Sequence, residues 1–359
     1  MKKVGFLANP YAGSGGRTGH KGSDDLSELN PETPERVRRF LSKAPREAIY
    51  LTASNLMGSY YFSAFPGFNF VDIGIGKSVR TTRHDTIAAV KDLVKRGAEI
   101  IVFAGGDGTA RDVAEALMDS NSDVPILGVP TGVKMHSGVF AETPETAGEL
   151  LALYVTGQAS IGPAEIVDLD EELYRKGVYA VRRYFLVKTV KGRGLVPSKI
   201  EVPYEEEELE GIAAYFRDSL LREGVVYVFG PGSTVKYIER ALFSVSGSFL
   251  STDVIVNGEL KITNATYDQL MNLTGELILV VTPIGGQGFL FGRGNQELGP
   301  NFLKKVGKER IIVVSSKSKL KTFDCLRLDT GDPEVDRALS GVYHVLTGYN
   351  EFYAVPSCG

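Results

Sequence analysis

Apolar runs alternate with amphipathic segments through the first 160 residues of the chain. Short apolar runs predict strands over residues 4–8, 48–51, 70–73 and 125–128, and a strand that begins at Glu99 and ends before the glycines of GGDGT. Apolar residues at helical spacing predict helices over residues 34–42, 55–65, 82–96, 110–118 and 143–154, the last with Pro144 in its first turn. This alternation is typical of an α/β fold with a doubly wound parallel sheet.

The pattern changes after Gly157. Strands over 165–169, 178–180 and 184–189 indicate a more antiparallel region, with a basic cluster of Arg182, Arg183, Lys188, Lys191 and Arg193. A helix over 203–222 begins with an acidic run, which suits the positive end of the helix dipole. Strand and helix then alternate again from VVYVFG onwards. We predict an N-terminal α/β nucleotide-binding domain over 1–160, a mixed β-rich domain over 161–322 that completes the ligand site, and a segment over 323–359 packed back on the first domain.

The segment EIIVFAGGDGT, residues 99–109, is the most informative one. Gly105, Gly106 and Gly108 lack a Cβ, so the backbone can adopt positive φ and bring its amides to a phosphate or ribose. Asp107 projects from the carboxyl end of a strand, where open α/β sheets bind ligands. An ordinary capped turn is the alternative, but capping alone rarely needs so many glycines.

Four other strands also end in small, glycine-containing loops, namely NPYAGSGG, PTGVKMHSG, GPGST and TPIGGQG. In the first loop, Arg17 and Lys21 can add positive charge to the glycine amides, although a long disordered surface loop has the same composition. Because aligned parallel strands bring their carboxyl ends together, we expect all five loops to meet at one rim around a large phosphate-bearing ligand.

The predicted nucleotide- and phosphate-binding residues lie in these five loops. His136 could donate to a phosphate or hydrogen-bond within its loop, and Ser233 and Thr234 would also serve as helix N-caps. The full set is Asn9, Gly13, Gly15, Gly16, Lys21, Gly105, Gly106, Gly108, Thr109, Thr131, Gly132, Lys134, His136, Gly230, Gly232, Ser233, Thr234, Gly285 and Gly286.

GGDGT and the longer motifs around the other four loops occur in an order that resembles the AcoX-like branch of the ATP-NAD kinase family. The superfamily also includes diacylglycerol- and sphingosine-type lipid kinases. The resemblance implies an NAD kinase-like fold and phosphoryl transfer to a hydroxyl, with Asp107 as general base. It also implies ATP or polyphosphate as donor, Mg²⁺ carried on the donor, and the adenosine 2′-hydroxyl of NAD as acceptor.

The sequence departs from typical NAD kinases in two places. The segment 161–191 has no clear counterpart of the Asn-Glu pair that holds the nicotinamide-side ribose, and Gly230 replaces a threonine in the GPGST turn. The sequence therefore leaves two alternatives for the acceptor, NAD or another small or lipid alcohol. A non-catalytic nucleotide-binding regulator is a third hypothesis, which the retained Asp107 disfavours.

The composition and charge of the chain limit the classes of binding partner that we expect. The chain has 359 residues, 43% hydrophobic and 23% charged, with a formal net charge of −4. This balance gives no overall attraction to nucleic acid or anionic membranes, and no run approaches the roughly twenty apolar residues of a membrane span. Cys325 and Cys358 suggest neither a disulfide framework nor a zinc site, and metal ligands stay unknown. We expect a reduced, cytoplasmic homo-oligomer that binds small molecules.

Overall fold

The computed structural model describes residues 1–12, 29–78, 80–132, 135–169, 181–192, 194–195 and 206–358. These fall into two compact units, unit 1 up to residue 195 and unit 2 from residue 206. The predictions made for Gly13, Gly15, Gly16, Arg17, Lys21, Lys134 and the strand over 178–180 lie outside the described residues.

Unit 1 is built on a seven-stranded sheet in the order β3-β2-β1-β4-β5-β7-β6, in which β6 alone runs antiparallel to its neighbour. Every residue of β4 is buried, as expected for a strand covered by helices on both faces. The strands are β1 Lys3–Ala8, β2 Ile49–Thr52, β3 Asn69–Asp72, β4 Ile100–Gly105, β5 Ile126–Pro130, β6 Ser160–Leu169 and β7 Val181–Lys191.

Helices cover both faces of this sheet. One core contains Phe103 and Phe140, and the other contains Phe6, Phe40 and Phe62. The helices are α1 Thr33–Lys43, α2 Ser59–Ala64, α3 Arg83–Lys95, α4 Asp107–Asp119 and α5 Pro144–Val155, with a 3₁₀ turn over Asn55–Met57. The doubly wound α/β prediction is confirmed, and the single helix expected over 55–65 is divided at Gly58.

Unit 2 contains a five-stranded sheet, β10-β9-β8-β11-β13, and a four-stranded sheet, β12-β14-β16-β15. Strands β8, β11 and β13 are parallel neighbours, whereas β9 and β10 are antiparallel. The strands are β8 Val226–Phe229, β9 Asp253–Val256, β10 Glu259–Ile262, β11 Leu277–Val281, β12 Phe289–Phe291, β13 Ile311–Val313, β14 Leu326–Leu328, β15 Val342–Gly348 and β16 Glu351–Cys358.

Unit 2 contains six described α-helices. They are α6 Glu206–Tyr215, α7 Ser233–Phe243, α8 Tyr267–Met271, α9 Pro300–Val306, α10 Lys317–Leu320 and α11 Pro333–Leu339, with a 3₁₀ turn over Lys308–Arg310. Helix α6 continues into a π-helical turn over Phe216–Leu220. No helix of the described residues is long and apolar enough to cross a membrane.

The division of the chain differs from the one expected from the sequence. Strands β6 and β7, expected in the second domain, belong to the sheet of unit 1 because Thr189 pairs with Ile126 of β5. Residues 323–358, expected on the first domain, form strands within unit 2. Strands β8 and β11 build a separate sheet in unit 2, so the loops GPGST and TPIGGQG follow strands of that sheet.

The two cysteines also differ from expectation. Cys325 and Cys358 form a disulfide with their Cα atoms 5.8 Å apart. Strand β14 pairs with β16 so that Arg327 lies opposite Cys358, which brings together positions 33 residues apart in the chain. Cysteine spacing alone carries no information about such a strand pairing.

Candidate functional site

The GGDGT turn is shaped by close packing. None of Gly105, Gly106 and Gly108 has positive φ, so the expectation of left-handed backbone here is wrong. A Cβ on Gly105 would lie 2.5 Å from the side chain of Thr109, which excludes any larger residue. A Cβ on Gly108 would have nothing within 4 Å, so the first turn of α4 is open at this position.

The loop after β5 lies directly on this turn. The amides of Thr131 and Gly132 donate to the Gly105 carbonyl at 3.2 and 3.0 Å. A Cβ on Gly132 would lie 2.4 Å from the Cα of Gly106, so the two backbones touch. The PTG glycine is therefore required for contact between the two loops.

Asp107 is the first residue of α4, and its side chain is fully buried. Its carboxylate accepts hydrogen bonds from the amide of His136 at 2.6 Å, and from the amide and hydroxyl of Ser137 at 2.9 and 2.7 Å. The Nδ1 atom of His136 lies 3.0 Å from Asp107 Oδ2. The amide of Val167 donates to Ser137 Oγ at 3.1 Å. Asp107 thus anchors the loop over residues 135–138.

These contacts set the charge of Asp107. Burial opposes ionisation, but the hydrogen bonds and positive charge of His136, with the bonds from Ser137, together hold the pKa of Asp107 below its usual value. The side chain of His136 is 13% exposed and that of Asp107 is 0% exposed. In this conformation a substrate could reach the imidazole but not the carboxylate.

Two asparagines form hydrogen bonds between the segments at the carboxyl ends of the strands of unit 1, which we call its rim. Asn9 Nδ2 donates to Thr109 Oγ1 at 3.2 Å, which links the end of β1 to α4. Asn30 Nδ2 donates to the carbonyls of Ala12 and Thr131 at 2.7 and 3.1 Å. The structure therefore brings the described predicted residues of unit 1 together at one rim. Asn30 was missed, because no strand or glycine motif precedes it.

The second rim, in unit 2, follows β8 and β11. Gly232 has φ +124°, and a Cβ there would lie 2.6 Å from Thr282 Cγ2, so this turn does need glycine. Gly232 is also the N-cap of α7, which corrects the N-cap role considered for Ser233 and Thr234. Ser233 is exposed and Thr234 is buried.

The other predicted glycines of unit 2 lie close by. The amide of Gly230 donates to the carbonyl of Val280 in β11 at 2.9 Å. Gly286, next to the buried Gly285, has φ +76°, and its amide donates to Thr322 Oγ1 at 2.8 Å.

Lys319 is the residue of this rim that sequence analysis missed. Its Nζ donates to Thr282 Oγ1 at 2.9 Å and to Thr234 Oγ1 at 3.2 Å, and Thr322 Oγ1 donates to its carbonyl at 2.7 Å. Burial lowers the pKa of Lys319 to about 7. Only one feature of the sequence indicated this role, namely that Lys319 follows a further apolar strand, β13. The segment after that strand contains no glycine.

Comparison with known families matches two parts of the chain. The model of the ATP-NAD kinase N-terminal domain matches residues 4–159, and that of the C-terminal domain matches residues 222–357. The chain belongs to the ATP-NAD kinase family. No curated protein matches the chain.

Solved structures give weak similarities. A protein assigned as a diacylglycerol kinase from Bacillus anthracis str. Sterne has 15% identity and a TM-score of 0.25, over 47% of this chain and 42% of its own. A second structure of diacylglycerol kinases from that organism has 14% identity and a TM-score of 0.25, over 55% and 66%. The alignments span less than two thirds of these relatives, and at this TM-score they carry no argument.

Proposed function

We propose that this member of the family phosphorylates the adenosine 2′-hydroxyl of NAD to give NADP, with ATP or polyphosphate as donor. The match of both ATP-NAD kinase domain models supports the acceptor. The observation that carries the chemistry is the pairing of His136 with the buried Asp107 at the carboxyl end of β4.

The transfer forms a bond between the acceptor oxygen and the terminal phosphorus of the donor, while the bridging P–O bond breaks and the shortened donor leaves. The hydroxyl proton must pass to a base. A carboxylate with a lowered pKa and four donor contacts accepts protons poorly, whereas histidine is well suited near neutral pH.

We propose that the Asp107–His136 pair accepts the proton of the acceptor hydroxyl. With Nδ1 protonated towards Asp107, Nε2 is the basic nitrogen of the neutral ring. When Nε2 accepts a proton, the positive ring faces the negative carboxylate at 3.0 Å, which stabilises the charged pair. Asp107 is then the positioning residue and His136 the general base.

The described residues do not offer a resident metal site, because no group of three histidine, cysteine or acidic side chains comes together among them. Mg²⁺ prefers oxygen ligands and often keeps several waters and substrate phosphates as partners. When carried on the donor, it would neutralise phosphate charge. The protein's own part is to position the donor and the acceptor.

The decisive experiment incubates the purified protein with Mg²⁺ and either ATP or polyphosphate, and offers NAD, diacylglycerol and small alcohols as separate acceptors. Mass spectrometry identifies the product. We expect NADP. If a phosphorylated lipid or small alcohol forms and NADP does not, the acceptor is that alcohol and the proposed NAD acceptor is wrong. Nucleotide binding without any product would favour a regulator.

Binding of NAD can be tested without turnover. NAD should raise the melting temperature by mass action. Ser233 is exposed at the start of α7, so Ser233→Tyr should fold normally and abolish this shift by filling the turn. An unchanged melting temperature of the variant without NAD is the control. No shift of the wild-type protein at millimolar NAD would contradict the proposed acceptor.

A further inference from the structure

The parallel strands β8, β11 and β13 of unit 2 are followed by three loops that meet at a lysine. We define the Lys319 cluster as Thr234, Thr282, Lys319 and Thr322. The Nζ of Lys319 contacts one hydroxyl from the first turn of α7, which follows β8, and one from the loop after β11. Thr322 joins the backbone of Lys319 to the Gly286 amide. The charged end of Lys319 is therefore held at a fixed place.

The charge of Lys319 has no counter-ion among the described residues, since the hydrogen-bond partners of its Nζ are two neutral hydroxyls. The neighbouring Lys317 instead pairs with Glu351 at 2.6 Å. On α7, Lys236 pairs with Asp253, also at 2.6 Å. A half-buried ammonium group without an anion is unfavourable, and burial is the cause of its lowered pKa.

We propose that the Lys319 cluster is an anion site that binds a phosphate group, with Lys319 as its charged ligand. A bound phosphate would supply the missing negative charge, and the buried threonine hydroxyls hold the ammonium group towards it. The first-turn amides of α7, which begins one residue before Thr234, add positive potential. That this phosphate belongs to a nucleotide rests on the proposed function, whereas the anion site itself does not.

The affinity for ATP tests the charged ligand. Lys319→Met keeps the length of the side chain and removes its charge, and Lys321→Met is the matched control because Lys321 is exposed two residues further on. Isothermal titration should give ATP binding about 10–100-fold weaker for Lys319→Met, the range for a lost charge-assisted hydrogen bond, and unchanged for Lys321→Met. Equal affinity of the wild type and Lys319→Met would overturn the proposal.

Proton uptake gives a second, more specific readout. Sulfate resembles phosphate but does not titrate near neutral pH. Because burial lowers the pKa of Lys319 to about 7, sulfate binding at pH 8 should draw up to about one proton per chain from a weakly buffered solution, with sodium chloride of equal ionic strength as control. Lys319→Arg stays charged and should bind sulfate without proton uptake. Sulfate binding to the wild type without proton uptake would contradict the site.

Neither measurement needs catalysis. If Lys319→Met fails to fold, the Lys319→Arg comparison still decides the outcome. Active NADP synthesis together with ATP and sulfate binding that is independent of Lys319 would reject the anion site alone. Binding that depends on Lys319 in a protein that makes no NADP would reject the proposed acceptor alone.

Discussion

The Nδ1 atom of His136 lies 3.0 Å from Oδ2 of Asp107, and the other hydrogen bonds of this carboxylate come from the backbone of His136 and from Ser137. The aspartate of the GGDGT turn is thus bonded to the loop after β5 and turned away from solvent.

The role of His136 predicts a loss of activity on substitution. His136→Gln should lower turnover by about 10²–10⁴-fold, the range for general-base help, and should remove the acid limb of the pH–rate profile. His84→Gln, at an exposed histidine on α3, is the control and should keep wild-type turnover. Steady-state kinetics across pH give both values. Turnover of His136→Gln within threefold of wild type would remove His136 from the proton transfer.

Asp107→Asn should lower stability as well as activity. Every oxygen of the carboxylate faces donors, so the amide nitrogen of asparagine would oppose an N–H or O–H group. The cost of such a mismatch is about 1–3 kcal/mol. Thermal denaturation should show a lower melting temperature, and turnover should fall at least as much as in His136→Gln. A variant with wild-type stability would show that the loop does not depend on Asp107.

Substitutions at two glycines of unit 1 test packing and ligand binding separately. Gly132→Ala places a Cβ 2.4 Å from the Cα of Gly106 and should destabilise the protein by about 1–3 kcal/mol. Gly108→Ala meets open space in a helix and should change stability little or raise it by up to about 1 kcal/mol. If a ligand approaches this turn, Gly108→Ala should still weaken ATP binding in calorimetry. Unchanged ATP affinity would mean that the turn only shapes the backbone.

Sequence patterns predicted most of unit 1 and part of its rim. The buried runs of β1, β4 and β5 and the helical spacing of α3 are local signals, and Asp107 follows from the glycines around it. Unit 2 was predicted less well because its features depend on pairing between distant segments. The separate sheet of β8 and β11, the Cys325–Cys358 bond and the position of Lys319 follow from strand order.

A buried charge cluster in unit 2 predicts a pH dependence of stability. Lys236 Nζ donates to Glu239 and Asp253, both at 2.6 Å, and burial raises the pKa of Glu239 to about 8. The unfolded value is about 4.3. Because the fold favours the protonated acid, its contribution is complete below the unfolded pKa and is lost as pH rises towards 8.

Glu239→Gln removes this titration. From pH 5 to pH 8 the wild-type melting temperature should fall relative to that of the variant, as followed by circular dichroism in matched buffers. The substitution changes one buried side chain, so titrating groups outside the cluster of Lys236, Glu239 and Asp253 contribute equally to both proteins. Parallel curves over this interval would show that Glu239 does not change its protonation.

The disulfide should stabilise unit 2. Closing a loop between positions 33 residues apart contributes about 2–4 kcal/mol in the chain-entropy account. A reducing agent should lower the melting temperature of the wild type and leave that of the Cys325→Ser, Cys358→Ser double variant unchanged. Alkylation in denaturant without reductant should label no thiols. Two labelled cysteines would contradict the bond.

The last described strand, β16, lies inside its sheet, between β14 and β15. All strands of the first unit, by contrast, precede residue 192. During synthesis on the ribosome, unit 1 can therefore assemble while later residues are still being translated. The four-stranded sheet of unit 2 cannot close until Cys358 has emerged, so unit 2 is the part of the nascent chain that waits longest with unpaired strand edges.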